Sequence, residues 1–116
     1  MPPKISGVGI DLVDLKRIRE FLRIHAAAKT RRLLSPLEQK YFQSRKRSPL
    51  VFAKFFTAKE AFFKTLGKAW LGLEGFAEME VQFLSADRFK IRHLQGAQAE
   101  GSFFSFSHYV GAQVIR

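Results

Sequence analysis

The sequence contains no cysteine, and this absence limits the kinds of site that it can build. Disulfides and thiolate zinc sites are excluded, and a reducing compartment such as the cytoplasm is favoured. No apolar run approaches the ~20 residues that span a bilayer, and the first residues lack the pattern of a signal peptide. We therefore expect a soluble, cytoplasmic protein.

Acidic residues are scarce, and several common motifs are missing. Ten Asp and Glu stand against twenty Lys and Arg, which gives a formal net charge of +10. Such a charge attracts polyanions, namely nucleic acid, an anionic membrane, a phosphorylated cofactor or an acidic protein. The motifs GxGxxG, GxxxxGK[ST], HExxH and GxSxG are absent, which excludes the usual nucleotide-binding and hydrolase signatures. No two of the three histidines have ligand spacing, so a histidine metal site is not expected.

Apolar residues are plentiful, at 47% of 116 residues with thirteen Phe. That is enough for one modest core, and we expect a single domain over residues 1–116. The pattern predicts a strand over Ile5–Val13, then helices, and then a run of strands. This order favours an α+β fold with a short N-terminal strand and an antiparallel sheet.

The element boundaries carry clear signals. Asp14 is the predicted N-cap of a helix from Leu15 to about Ala28, and the Ser-Pro pairs at 35–36 and 48–49 each start a helix, the second ending near Leu66. The period then changes to two, and strands are predicted at 78–83, 89–94, 102–108 and 111–116, with a loop at 95–101.

The first predicted helix carries four basic residues on one face: Lys16, Arg17, Arg19 and Arg23. A solvated face is the ordinary interpretation of such a pattern. A docking surface for an acidic partner is the alternative.

Two carboxylates in apolar settings are the candidate chemical groups. Asp11 interrupts the first strand, where it is either a turn residue bonded to backbone or a cation ligand. Glu60 and Lys64 share one face of the long helix, where they form either an ordinary surface ion pair or a partly desolvated pair with shifted pKa values. Two carboxylates in a basic chain are compatible with Mg²⁺-dependent phosphate chemistry.

Four segments together resemble the holo-[acyl-carrier-protein] synthases of the 4′-phosphopantetheinyl transferase superfamily. They are GVGIDLV with LKRI at 7–18, LSPLE at 34–38, FTAKEAFFKTLG at 56–67, and FSFSH with AQVI at 104–115. The resemblance implies the fold of that family and an enzyme that moves phosphopantetheine from coenzyme A to a serine of an apo acyl carrier protein. The adenosine 3′,5′-bisphosphate part of coenzyme A leaves.

The resemblance also implies roles for individual residues. Asp11 and Glu60 would bind Mg²⁺, with Glu60 and Lys64 catalytic. The implied coenzyme A contacts are Lys46, Arg47, Lys59, Lys64, Gly67 and His108. The basic residues Lys16, Arg17, Arg19 and Arg23 would receive the acidic carrier protein, and a homotrimer with active sites between subunits is implied. Whether the carrier is of the fatty-acid or the polyketide type stays open.

Three positions depart from the family pattern. Phe55, preceded by Lys54, stands where the family has an arginine, Ala69 replaces a glycine, and the connection after His108 is short. Two alternatives remain. The basic, Phe-rich composition also suits a nucleic-acid-binding module, and the departures suit a family member that binds coenzyme A or carrier protein with little turnover.

Overall fold

The computed structural model describes residues 4–25, 27–66 and 73–116. In chain order the elements are β1 (Val8–Asp14), α1 (Leu15–Ile24), α2 (Ala27–Leu33), α3 (Pro36–Ser44), α4 (Pro49–Thr65), a 3₁₀ segment (Leu73–Glu78), β2 (Met79–Phe83), β3 (Arg88–His93), β4 (Gln98–Phe106) and β5 (Tyr109–Ile115). The predicted α+β order of strand, helices and antiparallel strands is confirmed.

The five strands form one antiparallel sheet in the order β1-β5-β4-β3-β2. The N-terminal strand therefore pairs with the last strand of the chain, with Asp11 opposite Ala112 and Asp14 opposite Tyr109. This long-range pairing fixes which end of the β4–β5 hairpin lies beside the start of α1.

Side-chain caps begin three of the helices, as the sequence predicts. The Asp14 carboxylate accepts from the Lys16 N–H at 2.8 Å. Ser35 and Glu38 form a reciprocal capping box, with the Ser35 N–H donating to Glu38 Oε1 at 2.8 Å. Ser48 accepts from the Val51 N–H. These local signals place the helix starts correctly because they depend on residues three positions apart or fewer.

Three boundary predictions are wrong. The strand predicted over Ile5–Val13 spans Val8–Asp14, because Ser6 and Gly7 both donate to the one Arg116 carbonyl and the regular ladder does not extend to them. The helix predicted to run to about Ala28 ends at Ile24, and a separate helix begins at Ala27. Strand β4 begins at Gln98, inside the predicted loop at 95–101. The pairing of Gln98–Ser102 with β3 supplies the ladder hydrogen bonds that the local sequence, with its Gly and Gln, does not reveal.

Helix α4 is the centre of the core. Nine of its residues are buried, and its phenylalanines contact neighbouring rings. The Phe55 ring, for example, stacks on that of Phe83 with 5.0 Å between the ring centroids. It packs against β1 and β5 on one face of the sheet. Because α4 is covered nearly all round, a charged residue on it lies in an apolar environment unless it faces a groove.

The other face of β1, β5 and β4 is apolar and exposed. Alternate residues along β1 point away from α4, and further apolar residues on β4 and β5 extend the same face. Six large apolar residues on this face are each at least 37% exposed: Val8, Ile10, Leu12, Phe104, Phe106 and Ile115. We call these six residues the outer apolar face. Among the helices of the described residues, none is both long enough and apolar enough to cross a bilayer.

Candidate active site

The candidate site lies where β1 crosses α4 at very short range. Gly9 makes the crossing possible, because a Cβ at that position would lie 1.8 Å from the Ala61 carbonyl oxygen of α4. Asp11 is two residues further along the same face of β1. The glycine therefore brings the Asp11 carboxylate next to the last turns of α4, where Glu60 and Lys64 are.

Lys64 binds both the backbone and the carboxylate of β1. Its Nζ donates to the Ile10 carbonyl oxygen at 2.7 Å and lies 3.3 Å from Asp11 Oδ1. The Asp11 side chain is 17% exposed and that of Lys64 is 48% exposed. The ion pair thus lies at the partly exposed edge of the contact between β1 and α4, which we call the groove, with its acidic partner inside and its basic partner towards solvent.

One oxygen of Asp11 has a vacant hydrogen-bonding position. Oδ2 is buried and has no hydrogen-bond partner among residues 4–25, 27–66 and 73–116. A buried carboxylate oxygen without a partner is costly, and a cation satisfies it directly. The ordinary interpretation of Asp11, a carboxylate bonded to nearby backbone, is not what the structure shows.

Glu60 shares the electrostatic environment of Asp11. Burial raises the pKa of Glu60 above its ordinary 4.5, the negative charge of Asp11 raises it further, and Lys64 opposes both effects. Two carboxylates that repel each other in a partly desolvated groove attract a hard divalent cation. Asp11 and Glu60 therefore fit Mg²⁺, which takes one or two carboxylates and completes its shell with phosphate and water oxygens. A group of three His, Cys, Asp or Glu ligands does not occur in the described part of the chain.

The structure corrects the prediction that Lys59 contacts coenzyme A. Its side chain is fully buried and its three N–H groups donate to the Leu33 carbonyl, the Phe76 carbonyl and Glu38 Oε1, at 2.7, 2.7 and 2.5 Å. No N–H remains for a phosphate. Lys59 is adjacent to Glu60 in sequence, but helical geometry turns it ~100° away from the groove.

His108 lies at the tip of the β4–β5 hairpin, beside the start of α1. Its Nδ1 is 3.1 Å from Ser107 Oγ and its Nε2 is 3.8 Å from Asp14 Oδ2. Ser107 has a φ of +53°, which closes the short connection without a glycine. The short hairpin therefore still pairs in register, with Phe106 opposite Tyr109.

Lys46 and Arg47 lie in the turn between α3 and α4. Both have positive φ values, 56° and 55°, and the Arg47 guanidinium lies over the Phe42 ring at 5.0 Å. Thirteen residues of chain separate Arg47 from Glu60, which is about 20 Å along a helix. One chain thus places these two basic residues far from the carboxylates.

The four basic residues of α1 are exposed, with Arg23 already engaged. Arg23 forms a salt bridge to Glu20 at 2.5 Å, whereas no hydrogen bond or ion pair from the side chains of Lys16, Arg17 and Arg19 is seen within the described ranges. Gly67, predicted to contact coenzyme A, and Ala69 lie outside the described residues.

Phe55 and Lys54 have structural contacts that the sequence does not indicate. Phe55 is buried in the core against Tyr41 and Phe83. Lys54 Nζ donates to the Ala86 carbonyl oxygen at 2.9 Å, and burial lowers its pKa. A cavity of about 830 Å³ between α3 and strands β2–β4 contains none of the predicted site residues.

Sequence reasoning missed Glu38 as more than a capping residue. Besides accepting from Ser35, its carboxylate accepts from Lys59 and from the Val81 N–H at 2.7 Å. The capping box is visible in the sequence. The other two partners, 21 and 43 residues away, become apparent only in the folded chain.

Known proteins of one family match most of this chain. A sequence model of the 4′-phosphopantetheinyl transferase superfamily matches residues 7–115. The holo-[acyl-carrier-protein] synthase of Geotalea daltonii is 36% identical over 77 residues, covering 66% of this chain and 62% of the relative. That of Thermotoga maritima is 33% identical over 104 residues, covering 90% and 54%. The chain thus spans between half and two thirds of the length of these curated relatives.

Solved structures show the same fold. The holo-[acyl-carrier-protein] synthase of Neisseria meningitidis superposes with a TM-score of 0.81 at 25% identity, covering 97% of this chain and 98% of that one. The Bacillus anthracis enzyme, solved in complex with CoA (3′,5′-ADP), gives a TM-score of 0.69 at 26% identity, with 96% and 95% covered.

Proposed function

The chain belongs to the 4′-phosphopantetheinyl transferase superfamily, and we propose that it transfers the 4′-phosphopantetheine of coenzyme A to a serine of an apo acyl carrier protein. The reaction would require Mg²⁺ and release adenosine 3′,5′-bisphosphate. The observation that carries this proposal is the convergence of Asp11, Glu60 and Lys64 at the β1–α4 crossing, with one Asp11 oxygen buried and without a partner in the described residues.

Asp11 and Glu60 would hold the metal. When bound, Mg²⁺ supplies positive charge beside the pyrophosphate of coenzyme A. Lys64 stands at the exposed side of the same groove, with its ammonium fixed by the Ile10 carbonyl at 2.7 Å. A fixed cation at that position stabilises the negative charge that develops on the phosphate oxygens during transfer.

The serine oxygen of the carrier protein attacks the β-phosphorus of coenzyme A. The new bond joins that oxygen to phosphorus, and the bond between phosphorus and the oxygen bridging to the α-phosphate breaks. Glu60, or a water that it holds, accepts the serine proton. Burial and the charge of Asp11 raise the pKa of Glu60 in the metal-free protein and so make its carboxylate more basic, whereas a bound Mg²⁺ opposes this effect.

The basic face of α1 is the proposed docking surface for the acidic carrier protein. Lys16, Arg17 and Arg19 would supply most of the attraction, because Glu20 already neutralises part of the charge of Arg23. We further propose that His108, Lys46, Arg47 and Gly67 contact coenzyme A. The relatives are named holo-[acyl-carrier-protein] synthases, and one was solved with CoA (3′,5′-ADP), which supports these two substrates.

The outer apolar face supports a homotrimer. Six large apolar residues exposed on adjacent strands form a patch of the kind that marks an interface between subunits. Within one subunit, α4 keeps the Lys46–Arg47 turn about 20 Å from the Asp11 and Glu60 carboxylates. Active sites between subunits would allow this turn of one copy to reach the carboxylates of another. The cytoplasmic location stays a prediction.

Release of adenosine 3′,5′-bisphosphate tests the chemistry. Purified protein is incubated with coenzyme A, an apo acyl carrier protein and Mg²⁺, and the nucleotide is quantified by chromatography. We expect release that requires all three components and disappears with EDTA or in Asp11→Asn. A control, Glu100→Gln, changes an exposed carboxylate on β4 and should release normally. Nucleotide release that persists in EDTA would contradict the proposed metal dependence.

A further inference from the structure

Helix α4 is held on the side away from the groove by a buried ion pair. Lys59 Nζ and Glu38 Oε1 are 2.5 Å apart, with side chains 0% and 1% exposed. Charges are rarely buried so completely, and replacing such a pair with apolar residues is often neutral or stabilising. Stability alone therefore gives no strong reason for this pair.

The pair joins α4 to four other elements, namely α2, α3, the 3₁₀ segment and β2. Lys59 reaches the carbonyl of Leu33 at the end of α2 and that of Phe76 in the 3₁₀ segment. Glu38 at the start of α3 accepts from Ser35 and from Val81 in β2. Five directional hydrogen bonds, counting the one between Lys59 and Glu38, thus fix both the rotation and the height of α4 at residue 59, which apolar packing does not do as sharply.

The next residue in the chain is the candidate metal ligand. On its groove side α4 touches β1 through Gly9, where the backbones lie too close for a Cβ. Glu60 therefore lies on a helix clamped between the buried pair and the β1 backbone. A small rotation of α4 would change the Glu60–Asp11 spacing directly.

We propose that Glu38 and Lys59 are positioning residues that hold the Glu60 carboxylate at the correct distance from Asp11 for a divalent cation. This inference rests on the proposed function, since it takes Asp11 and Glu60 as the metal ligands. Groups that orient metal ligands typically change metal affinity or activity by 10–100-fold when they are removed.

Manganese binding provides a test that does not depend on turnover. Free Mn²⁺ is measured by electron paramagnetic resonance during titration of the protein in the presence of coenzyme A. In the double variant Glu38→Met with Lys59→Met we expect about tenfold weaker Mn²⁺ binding. Glu38→Gln keeps the two carbonyl contacts of Lys59, and we expect a smaller loss.

A matched control separates positioning from stability. Phe89→Leu opens a cavity at a buried position of β3, where the ring stacks on Phe103 and the strand partner is Phe83; neither of these residues bonds to the pair. It should lower the melting temperature and leave Mn²⁺ affinity unchanged. In the folded variants of the pair we also expect kcat to fall while KM for the carrier protein stays constant, because α1 is unaltered.

Wild-type Mn²⁺ affinity in the folded double variant would overturn the positioning role. If the double variant does not fold, Glu38→Gln decides in the same way: weaker binding supports the role and unchanged binding refutes it. If the wild-type protein itself binds no Mn²⁺ with coenzyme A, the proposed metal site fails as well. The two failures are distinguishable because only the second affects the wild type.

Discussion

Replacing Gly9 with alanine is the most specific structural perturbation of the site. The added Cβ would lie 1.8 Å from the Ala61 carbonyl oxygen, where an ordinary contact is at least 3.4 Å. The neighbouring atom is backbone, so it cannot rotate away. Strand β1 and helix α4 must therefore separate by about 1.6 Å, the difference between those two distances.

That separation acts on the site and on stability together. It is large enough to break the hydrogen bond from Lys64 to the Ile10 carbonyl, now 2.7 Å long. Overpacking of this kind typically costs about 1–3 kcal/mol of unfolding free energy. Displacing catalytic groups by about 1 Å can lower the rate by about 100-fold. We expect Gly9→Ala to show both effects.

Two other glycines calibrate the result. At Gly7 a Cβ would lie 2.7 Å from the Thr65 carbonyl oxygen, so Gly7→Ala should have an intermediate effect. Gly96 has a φ of +107° but open space around it. Gly96→Ala should therefore cost about 1–3 kcal/mol through backbone strain and leave the rate unchanged.

The assays are chemical denaturation for stability and nucleotide release for rate, both below the midpoint of unfolding. Gly9→Ala with wild-type turnover would refute the claim that the close crossing builds the site. Equal rate losses in Gly9→Ala and Gly96→Ala would mean that turnover follows stability and not the position of Asp11.

Four further predictions concern charge and assembly. At Mg²⁺ concentrations below saturation, activity should fall on acidification starting above pH 4.5, because metal-free Glu60, whose pKa is raised, must lose its proton before it binds the cation; a rate that holds down to pH 4.5 would contradict this. The pKa of Glu60 is higher in the folded than in the unfolded protein, so its contribution to stability is present below pH 4.5 and is lost as the pH rises through the raised pKa. Glu60→Gln should therefore have a higher melting temperature than wild type at pH 7, measured by circular dichroism. A lower melting temperature would count against this prediction. Arg17→Glu on α1 should raise KM for the carrier protein about tenfold, with Arg88→Glu on β3 as the charge-matched control; equal effects would indicate only a general charge effect. Ile10→Glu on the outer apolar face should convert a trimer to monomers in light scattering, and an unchanged mass would move the interface elsewhere.

The sequence indicates most of this fold because its signals are local. Asp14, Ser35 and Ser48 mark helix starts through contacts within three residues, and the alternation in β2 and β3 marks strands. The start of β4 at Gln98 is not visible, since it depends on pairing with β3. The break between Ile24 and Ala27 is likewise missed, because the apolar stripe and the alanines around it are typical of a continuous helix.

The candidate site, like the fold, could be predicted from the sequence only where its signals are local. The pairing of Glu60 with Lys64 on one helical face follows from their spacing, and Asp11 is conspicuous in an apolar strand. The direct contact of Asp11 with Lys64, 53 residues later, depends on the close approach of Gly9 to α4. Lys59 shows that a sequence motif does not fix where each of its side chains lies. It is next to Glu60 in the sequence, yet its ammonium is buried against Glu38.

Intact-mass spectrometry of an apo acyl carrier protein tests the central claim most directly. The carrier is incubated with this protein, coenzyme A and Mg²⁺, in parallel with EDTA and with Glu60→Ala. The account predicts a gain of one phosphopantetheine on the carrier, lost in both controls and retained in Glu100→Gln. No gain with carriers of either the fatty-acid or the polyketide type would contradict the transferase, and a gain that survives in Glu60→Ala would contradict the site.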